Sequence, residues 1–191
     1  MIRPRRYDVF GSELGVIMAR IFAALVSVLA ATAAWAGMPG FMFSSIDGGT
    51  LNTGDWAGRP VLVVNTASQC AFTRQYADLQ ALYDTYRDRG LVVLAVPSDD
   101  FRQELDSAEE VKAFCELTFG LDLPMTDITR ITGSSAHPFY RQVATDTGFA
   151  PRWNFNKVLI GPDGSVVATW GSSANPMSRD IRTKIETVLP R

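Results

Sequence analysis

Cys70 lies in the stretch Asn65-Thr66-Ala67-Ser68-Gln69-Cys70-Ala71-Phe72-Thr73, directly after an apolar run and directly before a helical pattern. A thiol so placed is expected at a helix N-terminus. There, free amides and the macrodipole favour negative charge and draw a cysteine pKa from about 8.5 toward neutrality. The chemistry this offers is that of a thiolate nucleophile. The second of the two cysteines is Cys115, in Phe114-Cys115-Glu116-Leu117-Thr118-Phe119. A C-x-x-C pair is absent, because residue 73 is Thr, so the neighbouring thiol that resolves a mixed disulfide in an oxidoreductase is missing. The single histidine, His137, precedes Pro138, and a helix start, a metal ligand and a triad base are its candidate roles.

The elements that must position Cys70 are legible as patterns. Val61-Leu62-Val63-Val64-Asn65 and Leu91-Val92-Val93-Leu94-Ala95-Val96 are continuous apolar runs of the kind found in fully buried strands. Between them Tyr76, Leu79, Leu82, Tyr83 and Tyr86 recur at helical spacing, and Gly90 is placed to close that helix, which makes a βαβ unit. A second helix is expected over Glu109 to Phe119, opened by the Ser107 and Glu110 capping box and ended by Gly120. Val158-Leu159-Ile160 and Ser165 to Trp170 flank the turn signal Gly161-Pro162-Asp163-Gly164, so a hairpin is expected there. A last amphipathic helix runs from Ser178 to about Leu189. This order is that of an α/β thioredoxin-like sandwich, a central mixed sheet flanked by helices.

At the front of the chain, Arg20 followed by Ile21 to Ala30 has the form of a secretory h-region, and Ala34-Trp35-Ala36 supplies a small-x-small cleavage pattern. Residues 1–36 are therefore expected to be a signal peptide, with 1–17 an over-extended start ahead of Met18, and 37–191 one exported domain, periplasmic or secreted. The apolar segment is shorter than the ~20 residues of a bilayer span. The formal net charge of −2 implies no basic surface for nucleic acid.

The segments NTASQCAFTRQY (65–76), DRGLVVLAVPSDDF (88–101), AHPFYRQV (136–143) and WNFNKVLIGPDGSVV (153–167) together resemble the glutathione peroxidase family, across essentially all of the domain. The resemblance implies a thiol-dependent peroxidase that reduces hydrogen peroxide or organic hydroperoxides without a cofactor. Glutathione or a thioredoxin-like protein would be the reductant and co-substrate. Cys70 would be the peroxidatic residue, passing through a sulfenic acid, with Trp153 and Asn154 as indole and amide donors and Asn65 shaping the pocket. Where the family carries a glutamine in C-N-Q-F, this chain has Asp100 in Ser98-Asp99-Asp100-Phe101. An ionised Asp100 beside Cys70 would raise the thiol pKa, a protonated one would donate to peroxide, and an outward one would meet water. Gln103, in the next Gln103-Glu104 pair, is the alternative source of the amide.

Cys115 falls in the helix where thioredoxin-dependent members carry a resolving cysteine. Two readings stand beside that one: a core cysteine, and half of a structural disulfide with Cys70 in an oxidising compartment. Arg152 and Lys157 flank the Trp153 segment, either to attract an anionic thiol such as glutathione or as a solvated face. The short segment between Gln142 and Trp153 lacks the family's assembly loop, which implies a monomer. Two alternatives on the same fold are an exported thiol-disulfide oxidoreductase and a copper-binding module using Cys70, Cys115 and His137.

Overall fold

The computed structural model describes residues 40–190; the expected signal peptide lies outside them. At the centre is a four-stranded mixed sheet. In chain order, β1 (Met42–Ser44) and β2 (Thr50–Asn52) form a separate antiparallel hairpin, and β3 (Val61–Thr66) leads through α1 (Gln75–Tyr86) to β4 (Val92–Pro97). Then come α2 (Ala108–Phe119), α3 (Pro138–Thr147), β5 (Lys157–Ile160), β6 (Val166–Trp170) and α4 (Arg179–Val188). The strand order is β4-β3-β5-β6, with β3 parallel to β4 and antiparallel to β5, and β5 antiparallel to β6.

The apolar runs become fully buried strands, β3 inside the sheet and β4 at its edge, because both of their faces are covered. Leu62, Val64, Val93, Ala95 and Leu159 pack against Tyr76, Leu79 and Leu82 of α1, Val111 and Cys115 of α2, and Ile181 and Ile185 of α4. Their alternates Val61, Val63, Val92, Leu94, Val96 and Val158 meet Phe139, Tyr140 and Val143 of α3 together with Phe41 and Phe43. A half-buried strand would alternate apolar with polar, and these do not, because neither face meets water.

The helix ends obey the sequence signals. Ser107 Oγ accepts the Glu110 amide at 3.3 Å, Gly120 closes α2 in the left-handed region at φ 63°, and Ser178 caps α4 by accepting the Ile181 amide. His137 caps α3: Nδ1 accepts the Phe139 amide at 3.3 Å while Nε2–H donates to the Met42 carbonyl at 2.8 Å. Stacked on Phe43 at 3.8 Å, the imidazole joins α3 to the β1–β2 hairpin, and burial lowers its pKa. The role is structural. No helix among the described residues is long and apolar enough to cross a membrane.

Candidate active site

Cys70 does not cap α1. The helix begins at Gln75, and Cys70 stands in a tight turn ahead of it. Thr73 builds that turn: its hydroxyl oxygen accepts the Cys70 amide at 3.0 Å, and its proton lies between the Ala67 and Cys70 carbonyls, 3.0 and 2.6 Å away. The residue that would be the second cysteine of C-x-x-C is thus committed to holding the first. The sulfur still has a backbone donor, the Phe72 amide at 3.5 Å, supplied by the turn rather than by the first turn of the helix. Cys70 is buried, and both thiols are free, not joined in a disulfide.

The loop carrying Cys70 is fastened from beneath by Gln103-Glu104. The Gln69 amide donates to the Gln103 carbonyl at 2.9 Å, and the Ser68 amide donates to Glu104 Oε1 at 2.8 Å. Glu104 is buried, its other carboxylate oxygen has no partner, and desolvation raises its pKa. The Gln103 side chain reaches the other half of the site, with Oε1 accepting Asn154 Nδ2 at 3.0 Å. One N–H of the fully buried Asn154 amide is thereby engaged, while its Oδ1 has no hydrogen-bond partner. Trp153 is 40% exposed and leans on Phe101 at 5.4 Å, presenting its indole at the surface.

Asp100, at the family's glutamine position, is engaged by the 130–132 loop. Its Oδ2 accepts the Ile131 and Thr132 amides at 2.7 and 2.8 Å and the Thr132 hydroxyl at 2.9 Å. Three donors on one oxygen fix the carboxylate on the 130–132 loop, and the side chain that meets Asn154 is Gln103. The expectation for Lys157 is corrected. It is fully buried and meets neither solvent nor an anionic substrate, whereas Arg152 is exposed and lines a cleft of about 420 Å³ with Trp153, Phe149 and Ser172.

Asn65, at the end of β3, holds the Trp153 segment along its backbone. Its Nδ2 donates to the Trp153 carbonyl at 3.0 Å, its Oδ1 accepts the Asn156 amide at 3.0 Å, and its carbonyl accepts the Phe155 amide at 2.6 Å. Phe155 is held at φ 59°, a left-handed conformation costly for a residue with a Cβ, and its buried ring meets Tyr76 edge-on at 5.4 Å. Asn65→Ala will strand the buried Asn156 amide. Unfolding free energy is expected to fall by about 2 kcal/mol, with slower oxidation of Cys70 by peroxide; an unchanged urea midpoint would refute this clamp.

Cys115 faces the core from α2 beside the Tyr76 hydroxyl, and burial pushes its thiol up to about 12. Burial drives the Lys157 amine the other way, to about 7, against the pull of Asp78. The two shifts give stability a definite pH profile. From about pH 7 the unfolded chain retains a proton on Lys157 that the folded chain has lost, so stability rises with pH, by at most about 1.4 kcal/mol per pH unit. Above about pH 9 the unfolded Cys115 ionises and the folded one does not, which opposes the climb. Urea titrations should therefore show a rise between pH 7 and 9 that levels off above it, continues upward in Cys115→Ala, and is absent in Lys157→Met.

Among the described residues no group of three or more His, Cys, Asp and Glu is gathered to hold a metal ion. The glutathione peroxidase family model matches residues 39–144. A hydroperoxy fatty acid reductase of Synechocystis sp. is 38% identical over 161 residues, 78% of this chain and 94% of that one. The glutathione peroxidase-like peroxiredoxin 2 of Saccharomyces cerevisiae is 40% identical over 140 residues, 70% and 85% of the two chains. The crystal structure of T. cruzi GPX1 superposes with a TM-score of 0.61 at 28% identity, covering 78% and 93%. A thiol:disulfide interchange protein of the thioredoxin family from Chlorobium tepidum shares the fold, with a TM-score of 0.62 at 17% identity. Motif order, fold and overall similarity lead to the same assignment: the chain belongs to the glutathione peroxidase family and is a thiol-dependent peroxidase acting on hydroperoxides.

Proposed function

We propose that Cys70 is the peroxidatic residue, that Asn154 and Trp153 are the donors to the reacting oxygens, and that Gln103, not Asp100, completes the set. The observation that carries this is the pair of links running through Gln103, from its carbonyl to the residue before Cys70 and from its side chain to Asn154. The Cys70 thiolate attacks one peroxide oxygen, the O–O bond breaks, and the departing oxygen takes a proton to leave as water or alcohol. The sulfur is left as a sulfenic acid. Preorganised N–H groups lower this barrier by stabilising the charge that builds on the leaving oxygen.

Cys115 then resolves the sulfenic acid: its sulfur bonds to Cys70 sulfur, water departs, and a thioredoxin-like dithiol reduces the disulfide. The presence of glutathione peroxidase-like peroxiredoxins among the relatives supports such a reductant. Organic hydroperoxides with an acyl chain are the proposed substrates. The cleft beside Trp153 offers Phe149 and Ala150 as apolar wall and Arg152 for a carboxylate, and the Synechocystis relative is named for reducing hydroperoxy fatty acids. The enzyme works as an exported monomer, a reading that rests on the Ile21 to Ala36 segment and the short connection before Trp153.

Stopped-flow oxidation of the reduced protein by hydrogen peroxide and by a fatty acyl hydroperoxide, followed by mass, tests the assignment. One oxygen gained at Cys70 and then lost as water is expected. A rate no higher than that of free cysteine would end it.

A further inference from the structure

Lys157 is the first residue of β5, paired with Val64 of β3 on one side and Trp170 of β6 on the other. Fully buried lysines are rare because taking an ammonium out of water is costly. This one is surrounded by acceptors. Its Nζ donates to Gln75 Oε1 at 2.5 Å, to the Phe155 carbonyl at 2.8 Å and to the Ser172 carbonyl at 3.4 Å. Three acceptors match the three N–H bonds of an ammonium; a neutral amine has two, and its lone pair would face an oxygen.

The acceptors come from different parts of the site. Gln75 opens α1, the helix directly after the Cys70 turn. Phe155 is the left-handed residue next to Asn154, and with its amide on Asn65 and its carbonyl on Lys157 both of its backbone groups are pinned. Ser172 lines the cleft beside Trp153 and also accepts Gln75 Nε2 at 2.7 Å. We infer that Lys157 is a positioning residue for the peroxidase reaction: its buried ammonium locks the backbone that presents Trp153 and Asn154 to the helix that carries the Cys70 turn. This rests on Trp153 and Asn154 being the oxygen donors proposed above.

The lock is proton-linked. Burial brings the amine near neutrality, so moderate alkalinity removes one of its three donors. The charged group facing it is Asp78 on α1, whose Oδ2 accepts Asn175 Nδ2 at 2.7 Å. On α4, beside the Trp170 that pairs with Lys157, Asp180 is engaged by the indole N–H of Trp170 at 2.5 Å. Gln75, Phe155, Ser172, Val64 and Trp170 present neutral groups.

The experiment compares two second-order rate constants for Cys70, with hydrogen peroxide and with iodoacetamide. Both need the thiolate, so their ratio cancels its ionisation. Only the peroxide reaction needs donors to a departing oxygen. In wild type the ratio is expected to fall several-fold between pH 6 and 9. In Lys157→Met it should be at least tenfold below wild type at pH 6 and flat with pH. In Lys157→Arg, which keeps its charge, it should be flat at a higher value. A merely structural role would move the two rates together. A wild-type ratio constant with pH, or equal to that of Lys157→Met, overturns the inference while leaving the peroxidase reading standing. A wild-type peroxide rate no faster than free cysteine removes both.

Discussion

Serine at position 70 will reduce oxidation of the protein by hydrogen peroxide to background, a loss of at least about 10³-fold. The substitution exchanges one sulfur for one oxygen in a turn that Thr73 holds through the backbone, so its scaffold persists. Even the Phe72 amide, which donates to sulfur at 3.5 Å, keeps an acceptor. What disappears is a thiolate: a serine hydroxyl stays protonated at neutral pH and has no accessible sulfenic state. The contrast is sharp because the only other thiol is held at a pKa of about 12 by burial and cannot substitute for it. Peroxide oxidation in Cys70→Ser, measured by intrinsic fluorescence and by mass, should therefore be lost while the urea midpoint stays near that of wild type. Rapid gain of oxygen at Cys115 in this variant would reverse the roles of the two cysteines.

Much of the frame that positions Cys70 was legible from period alone. A continuous apolar run such as Val61 to Val64 has one explanation in a chain of this type, a strand covered on both faces, and the two alternating clusters bear that out. The helix limits were carried by caps, Ser107 and Gly120 for α2 and Ser178 for α4, whose chemistry is local and hence visible in a few residues. The β1–β2 hairpin carried no comparable signal, since its strands are three residues long and Phe43 alone is buried among them.

The site was harder for a different reason. Side-chain direction in a loop is set by distant partners rather than by spacing. Asp100 matches the family's glutamine by position, yet the Ile131 and Thr132 amides claim its carboxylate, and it is Gln103 that meets Asn154. The turn that separates Cys70 from α1 depends on one hydroxyl, Thr73, a residue that helices also tolerate near their starts. Lys157 looked like a surface charge because lysines usually are. Only the placement of β5 between β3 and β6 makes it interior, and only Gln75, Phe155 and Ser172 make that tolerable.

Replacing Cys115 by Ser will leave oxidation of Cys70 to the sulfenic acid untouched and block closure of the disulfide. In the folded state Cys115 is a poor nucleophile: with the thiol pushed up to about 12, only about one molecule in 10⁵ is a thiolate at pH 7. Loosening of α2 would return the thiol to an ordinary pKa near 8.5 and free it to move to a Cys70 sulfenic acid. The helix is suited to this. Of its residues, Val111 and Cys115 are the buried ones, Phe114 and Phe119 are half-buried, and Leu117 is 87% exposed, so releasing it uncovers little that was sheltered. Oxidation of wild type should accordingly be biphasic: a phase proportional to peroxide, then a slower one independent of peroxide as α2 opens and the disulfide closes. Cys115→Ser should keep the first phase, hold the extra oxygen on Cys70, and lose at least about 100-fold in turnover with a thioredoxin-like reductant. Faster hydrogen exchange in α2 than in α1 would locate the opening. If turnover with that reductant survives in Cys115→Ser, the reductant attacks the Cys70 sulfenic acid directly and Cys115 is a core residue whose place on α2 serves packing alone.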